Sequence, residues 1–83
     1  MRKYKFGEIL LVKWRDSTHL DGWQSSEAAK NMGMITCNTV GMFHSQDDIS
    51  IEICSTVADN EQVLNPLAIP QGCIINIIRL RGK

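Results

Sequence analysis

Met34-Ile35-Thr36-Cys37-Asn38-Thr39-Val40-Gly41-Met42-Phe43-His44 runs through the turn Ser45-Gln46-Asp47-Asp48 into Ile49-Ser50-Ile51-Glu52-Ile53-Cys54. Side chains alternate across a strand with a period of two. Ile49, Ile51 and Ile53 therefore share one face, with Ser50, Glu52 and Cys54 on the other, the pattern of a half-buried strand. In the longer partner, Ile35, Cys37 and Thr39 share a face opposite Thr36, Asn38 and Val40. Gly41 inside that strand marks a bulge or tight bend, as a strongly coiled small sheet requires. The two strands form a long hairpin.

On the N-terminal side, Glu8 to Trp14 is a strand with a continuous apolar run from Ile9 to Val12. Arg15 to Trp23 is a loop, rich in the turn formers Asp16, Ser17, Asp21 and Gly22. Ser25 to Met32 reads as a short helix. A serine caps it, Glu27 suits the positive end of its dipole, and Gly33 stops it. Trp23 and Met32 are placed to fasten this helix to the sheet. On the C-terminal side, Ala58 to Pro66 is polar and irregular, Leu67 to Ile69 a short strand, and Pro70 to Gly72 a turn. Cys73 to Leu80 is the last strand. Its Ile74, Ile75, Ile77, Ile78 and Leu80 leave few polar positions. That strand is either central or covered on one side by another subunit.

Five strands in 83 residues, with one short helix after the first, predict a mainly β fold. The expectation is a single domain over residues 1–83. It is a small five-stranded antiparallel, partly open barrel whose order resembles SH3-like and Sm-like barrels. A domain of this size buries a little over ~60% of its unfolded surface, so association with further copies would help it.

Nine Lys and Arg balance nine Asp and Glu, and the isoelectric point is near 6.7. No global basic field draws in duplex nucleic acid or an anionic membrane. The basic residues Arg2, Lys3 and Lys5 at one end and Arg79, Arg81 and Lys83 at the other are solvated termini, or they meet in one phosphate-attracting patch. No run approaches the ~20 apolar residues of a membrane helix, and no signal peptide is expected. Cys37, Cys54 and Cys73 make an odd set with no metal-type spacing, which points to a reducing cytoplasm and apolar structural thiols.

Enzymatic chemistry is not expected. The histidines are His19 and His44 alone. Ser17 and His19 share one loop, a poor geometry for a nucleophile and its base. Asp47 and Asp48 sit at an exposed hairpin tip, where nothing raises a carboxyl pKa. No glycine-rich stretch precedes a helix to cradle phosphate. No cofactor and no metal are implied.

Ligand binding is the stronger expectation. Trp14 and Trp23 offer stacking faces on either side of a polar loop. Arg15 offers a phosphate donor, with Lys13 and His19 nearby, and Asp16 and Ser17 shape the loop. Stacking on an aromatic ring contributes ~1–3 kcal/mol per base. The bland alternative makes Trp14 a barrel plug, Trp23 a helix staple and Arg15–Asp16 a local ion pair.

The pattern LVKWRDS…GW, TVGMFHSQDD-ISI and IPQGCIINIIRL resembles a group of small proteins encoded by tailed bacteriophages and prophages. The residues that carry the likeness are Trp14, Asp16, Trp23, Val40, Gly41, Asp47, Asp48, Ile69, Pro70 and Gly72. The resemblance implies a phage origin, a bacterial host cytoplasm and, by association, a host-defence antagonist. It brings no catalytic residues. The expected function is a binding module that sequesters a small anionic or nucleotide-like ligand or a host factor, working as a homo-oligomer. The alternatives are an Sm-like RNA or single-stranded DNA binder, which neutral charge disfavours, and a virion or assembly component.

Overall fold

The computed structural model describes residues 3–17 and 21–81. The strands are β1 (Ile9–Asp16), β2 (Ile35–Gln46), β3 (Ser50–Cys54), β4 (Thr56–Val57), β5 (Val63–Leu64), β6 (Leu67–Pro70) and β7 (Ile74–Arg79). Helix α1 (Ser26–Lys30) lies between β1 and β2, and a 3-10 turn (Gln71–Cys73) joins β6 to β7. Five strands form one antiparallel sheet in the order β6-β3-β2-β1-β7, and β4 and β5 form a separate two-stranded ribbon. The fold is mainly β, as the alternation requires.

β2 is longer than either neighbour can cover. Ile35 to Met42 pair with β1, whereas Met42 to Gln46 pair with β3. Gly41 stands at the handover. A Cβ built there would lie 3.0 Å from Ile53 Cδ1, 3.1 Å from Ile53 Cβ and 3.2 Å from the Cys54 carbonyl oxygen. Glycine suits this position, because a side chain would press on Ile53 and the Cys54 carbonyl more tightly than Cβ atoms ordinarily do. The β1 register runs through Gly41 without a shift, and the irregularity falls later, between Phe43 and Ser45 opposite β3. The irregularity is therefore at His44, three residues further on, and Gly41 is a close-approach glycine.

Leu10, Val12, Phe43, Ile51, Ile53 and Ile69 form the core, with Tyr4, Trp14, Ile74 and Ile77 packed against it. Each comes from the inward parity of its strand, with Val12 opposite Thr39 and Ile51 opposite Ile69. The two outermost strands are consecutive in the chain, and Gln71 holds the turn between them. Its backbone N–H donates to the Ile49 carbonyl (2.8 Å) and its side-chain amide to the Asp47 carbonyl (3.1 Å). The β2–β3 hairpin thus anchors the connection that returns the chain to the far side of the sheet.

The far half of the β1–β2 hairpin is different. None of the described residues between Lys13 and Val40 is buried. This arm draws the molecule out to 51 Å with a radius of gyration of 15.9 Å, against roughly 12 Å for a compact chain of this length. The Ser25 hydroxyl caps α1 by accepting the Ala28 N–H at 3.1 Å, as the sequence suggested. The helix buries nothing, however. Trp23 is fully exposed and Met32 is 37% exposed, so neither fastens it to the sheet. Apolar residues do not bury themselves when the chain offers no surface opposite them.

β7 pairs with β1 alone, so the last strand is an edge strand and the central alternative is excluded. The segment expected to be irregular contains the β4–β5 ribbon, whose turn is closed by the Glu61 N–H on the Ala58 carbonyl (2.9 Å). All three cysteines are free; Cys54 is buried, Cys37 and Cys73 half-buried.

Replacing Gly41 by alanine should destabilise the protein by about 1–3 kcal/mol, the range for overpacking a tight contact, measured as a drop in urea midpoint at unchanged slope. A neutral substitution would show that β2 and β3 do not meet there.

Asp47 closes the β2–β3 hairpin through its own carboxylate, which accepts the N–H groups of Ile49 and Ser50, both at 2.9 Å. These bonds hold its pKa below the usual 3.8, the Ser50 bond contributing most. A carboxyl depressed in the folded state stabilises above its unfolded pKa and loses that effect as pH falls through the folded value. Asp47→Ala should therefore lower the melting temperature at pH 7. The gap to the parent chain should close as pH falls below 4, in paired thermal melts.

Candidate functional site

The residues singled out by sequence lie at the outer end of β1 and on the loop beyond it. Trp14 is on the inward face, packed against the core, and its indole N–H donates to the Thr39 hydroxyl at 3.0 Å. Arg15, Asp16 and Ser17 are exposed, and the Asp16 carboxylate accepts the Ser17 N–H at 2.8 Å, which shapes the start of the loop. Trp23 is exposed further along. The sheet holds one indole by one face while the arm leaves the other in solvent. His19, Arg2 and Lys83, also weighed from sequence, lie outside the described residues.

A second location is built where the chain ends converge. Lys3, Lys5, Phe6, Gly7, Glu8, Arg79 and Arg81 line one cleft of about 600 Å³. Lys5 to Glu8 is a tight turn, with the Glu8 N–H on the Lys5 carbonyl (2.9 Å) and Gly7 at φ 82°. A left-handed φ in a turn favours glycine, which is why the chain can reverse here. The Gly7 N–H then bonds the Phe43 carbonyl (2.8 Å), so the turn is tied to β2 and presents Phe6 half-exposed at its tip. The Phe6 ring meets His44 edge-on, with centroids 5.9 Å apart.

Arg79 is the fastening. Its Nε sits 2.9 Å from the Glu8 carboxylate, its Nη2 donates to the Lys3 carbonyl at 2.6 Å, and its guanidinium lies over the Tyr4 ring, 4.8 Å from the centroid. Tyr4 in turn packs against Phe43. Four cationic side chains thus face one carboxylate, and Arg79 already holds that carboxylate. The charges of Lys3, Lys5 and Arg81 are left facing the cleft beside an aromatic ring. Such a set suits a phosphate-bearing ligand: ammonium and guanidinium donors for oxygens, a ring for a base.

His44 also stands near a hydroxyl and a carboxylate. Its Nδ1 is 2.9 Å from the Ser45 hydroxyl and 3.9 Å from the Glu52 carboxylate. A nucleophile relay needs the hydroxyl on one ring nitrogen and the acid on the other. Here both share one nitrogen, so the trio does not form that relay. Among the described residues, no three His, Cys, Asp or Glu side chains converge to hold a metal. No described helix is long and apolar enough to cross a membrane.

The chain matches no protein-family model, no curated protein and no solved structure.

Removing the fastening should loosen the cleft. Arg79→Ala is expected to cost about 1–2 kcal/mol, from one partly exposed ion pair, one charge-assisted bond and one ring contact. Amide exchange should accelerate at Gly7 and Glu8 before it does in β3. Unchanged protection at Gly7 would show that the turn stands without the arginine.

Proposed function

We propose that the chain is a non-enzymatic binding module that takes a small phosphate-bearing, nucleotide-like ligand in the cleft between its two ends, on an SH3-like barrel scaffold. The observation that carries this reading is the meeting of Lys3, Lys5 and Arg81 around Phe6 in one cleft, drawn from opposite ends of the sequence. The strand order, with its outermost members joined through one 3-10 turn, supports the barrel.

Each recognition element has a stated task. Lys5 and Arg81 contact phosphate oxygens, Lys3 adds charge at the rim, and Phe6 stacks a base. Arg79 orders the walls. The neutral whole-chain charge adds no attraction outside the cleft, which favours a small ligand over a nucleic-acid polymer. The likeness to phage proteins fits a role in withdrawing such a molecule from a host cell.

Titration calorimetry with ATP at low salt tests this. The parent chain should bind, and Lys5→Ala with Arg81→Ala should weaken binding roughly tenfold, since surface charge contacts each contribute modestly. Raising salt should weaken it further. Trp23→Ala should leave ATP binding unchanged. A loss in Trp23→Ala with none in the double variant would move the site to the Trp14–Trp23 loop. No binding by the parent chain would end the reading.

A further inference from the structure

An antiparallel sheet with one face on the core commonly turns polar side chains to water on the other. The outward face of this sheet breaks that rule in one place. Leu10 and Val12 face the core, so Ile9, Leu11 and Lys13 point outward from β1. Residues directly opposite in an antiparallel pair share a face. The register sets Leu11 between Val40 of β2 and Ile78 of β7, and Ile9 beside Met42 of β2. The Leu80 N–H bonds the Ile9 carbonyl, which carries the same register one residue past β7. Two apolar rows therefore cross three adjacent strands: Ile78-Leu11-Val40 and Leu80-Ile9-Met42. The next row, Asn76-Lys13-Asn38, is polar. Val40 is 59% and Ile78 47% exposed, Ile9 and Leu80 are exposed as well, and Leu11 and Met42 are half-buried.

We propose that this block packs face to face on the same block of a second copy. The two-fold axis lies between the two sheets, runs across the strands and passes between the two apolar rows. A two-fold interface requires each contact to occur twice with its ends exchanged. This axis turns each row onto the other: Ile78 meets the partner's Leu80, Leu11 meets the partner's Ile9, and Val40 meets the partner's Met42. Each of these contacts pairs a side chain branched at Cβ with one that is not. Short, stiff shapes thus face longer, more adaptable ones, which lets the two layers interlock.

Charge selects the axis. Lys13 is the one charged residue on the three rows. An axis along β1 would set Lys13 over the partner's Lys13. The axis across the strands holds the two ammonium groups three rows apart, about 20 Å along the strands, well beyond the screening length of roughly 10 Å at 0.1 M salt. At zero net charge, two whole copies also meet without long-range repulsion. Three strands at a spacing of about 4.8 Å make the block about 14 Å wide. It belongs with the patches of roughly a few hundred Å² that mark contact sites, and falls short of the roughly 800 Å² per partner of a tight complex. The association is therefore weak and depends on concentration.

Sedimentation equilibrium over micromolar to millimolar protein reads the result. The parent chain should pass from the mass of one copy to that of two. Val40→Lys and Met42→Glu each press a charge against an apolar side chain, so each alone should weaken dimerisation about tenfold or more. An equimolar mixture of the two should pair. The introduced charges then face each other across the axis, and the contact of Met42 with the partner's Val40 survives on the other side. Thermal melts at micromolar protein check that both variants fold. In the parent chain, the methyl resonances of Val40 and Ile78 should shift as concentration rises, and those of Ile49, exposed at the hairpin tip, should not. A parent chain that stays single at millimolar concentration, single variants that dimerise like the parent, a mixture that fails to pair, or Val40 and Ile78 methyls that do not move would each overturn the proposal.

Discussion

The approach of Ile53 to the backbone of Gly41 is the constraint on which this sheet depends. β2 must leave β1 and take up β3 within one continuous strand, and the two pairings share only Met42. That exchange brings Ile53 and the Cys54 carbonyl closer to Gly41 than neighbours ordinarily come to a Cβ. Once it is made, the inward parity of β2 passes from Thr39 to Phe43, and Leu10, Val12, Ile51 and Ile69 close around a common centre. The Gln71 turn then has a fixed hairpin to grip, and β7 is delivered to the far side of β1.

The same delivery makes the cleft. Arg79 arrives on β7 beside the chain's first residues and binds Glu8, the Lys3 carbonyl and the Tyr4 ring together. These three contacts of different kinds add to the backbone bonds that Gly7 and Glu8 make with Phe43 in holding the segment. Its neighbours Lys5 and Arg81 are thereby brought onto one rim, although nothing in their own sequence surroundings requires it. Placement of charge here is a by-product of sheet order.

Much of the fold was legible because it rests on local periodicity. Ile49, Ile51 and Ile53 alternate cleanly, the run Ile9 to Val12 is uninterrupted, and Ser25 stands where a cap belongs; each signal matched an element. The β4–β5 ribbon was not legible, since two-residue strands carry no period, and its turn places Glu61 at a positive φ that no sequence rule assigns to glutamate. The fate of Trp23 and Met32 was misread because hydrophobicity states a preference without supplying a surface to satisfy it. The β1–β2 arm extends past the end of β7 and has nothing to lie upon. The basic ends were visible as two clusters, but their meeting depends on strand order, a property of the whole chain.

The arm has a further consequence. Because none of its described residues beyond Trp14 is buried, mutations there leave the packing of the body nearly untouched. Its surface can diversify quickly while the sheet beneath is held by selection on packing. Such a division lets a small protein change what it recognises without passing through misfolded ancestors. The exposed tryptophan and methionines mark the part of this molecule most free to evolve, and the natural place to graft new specificity.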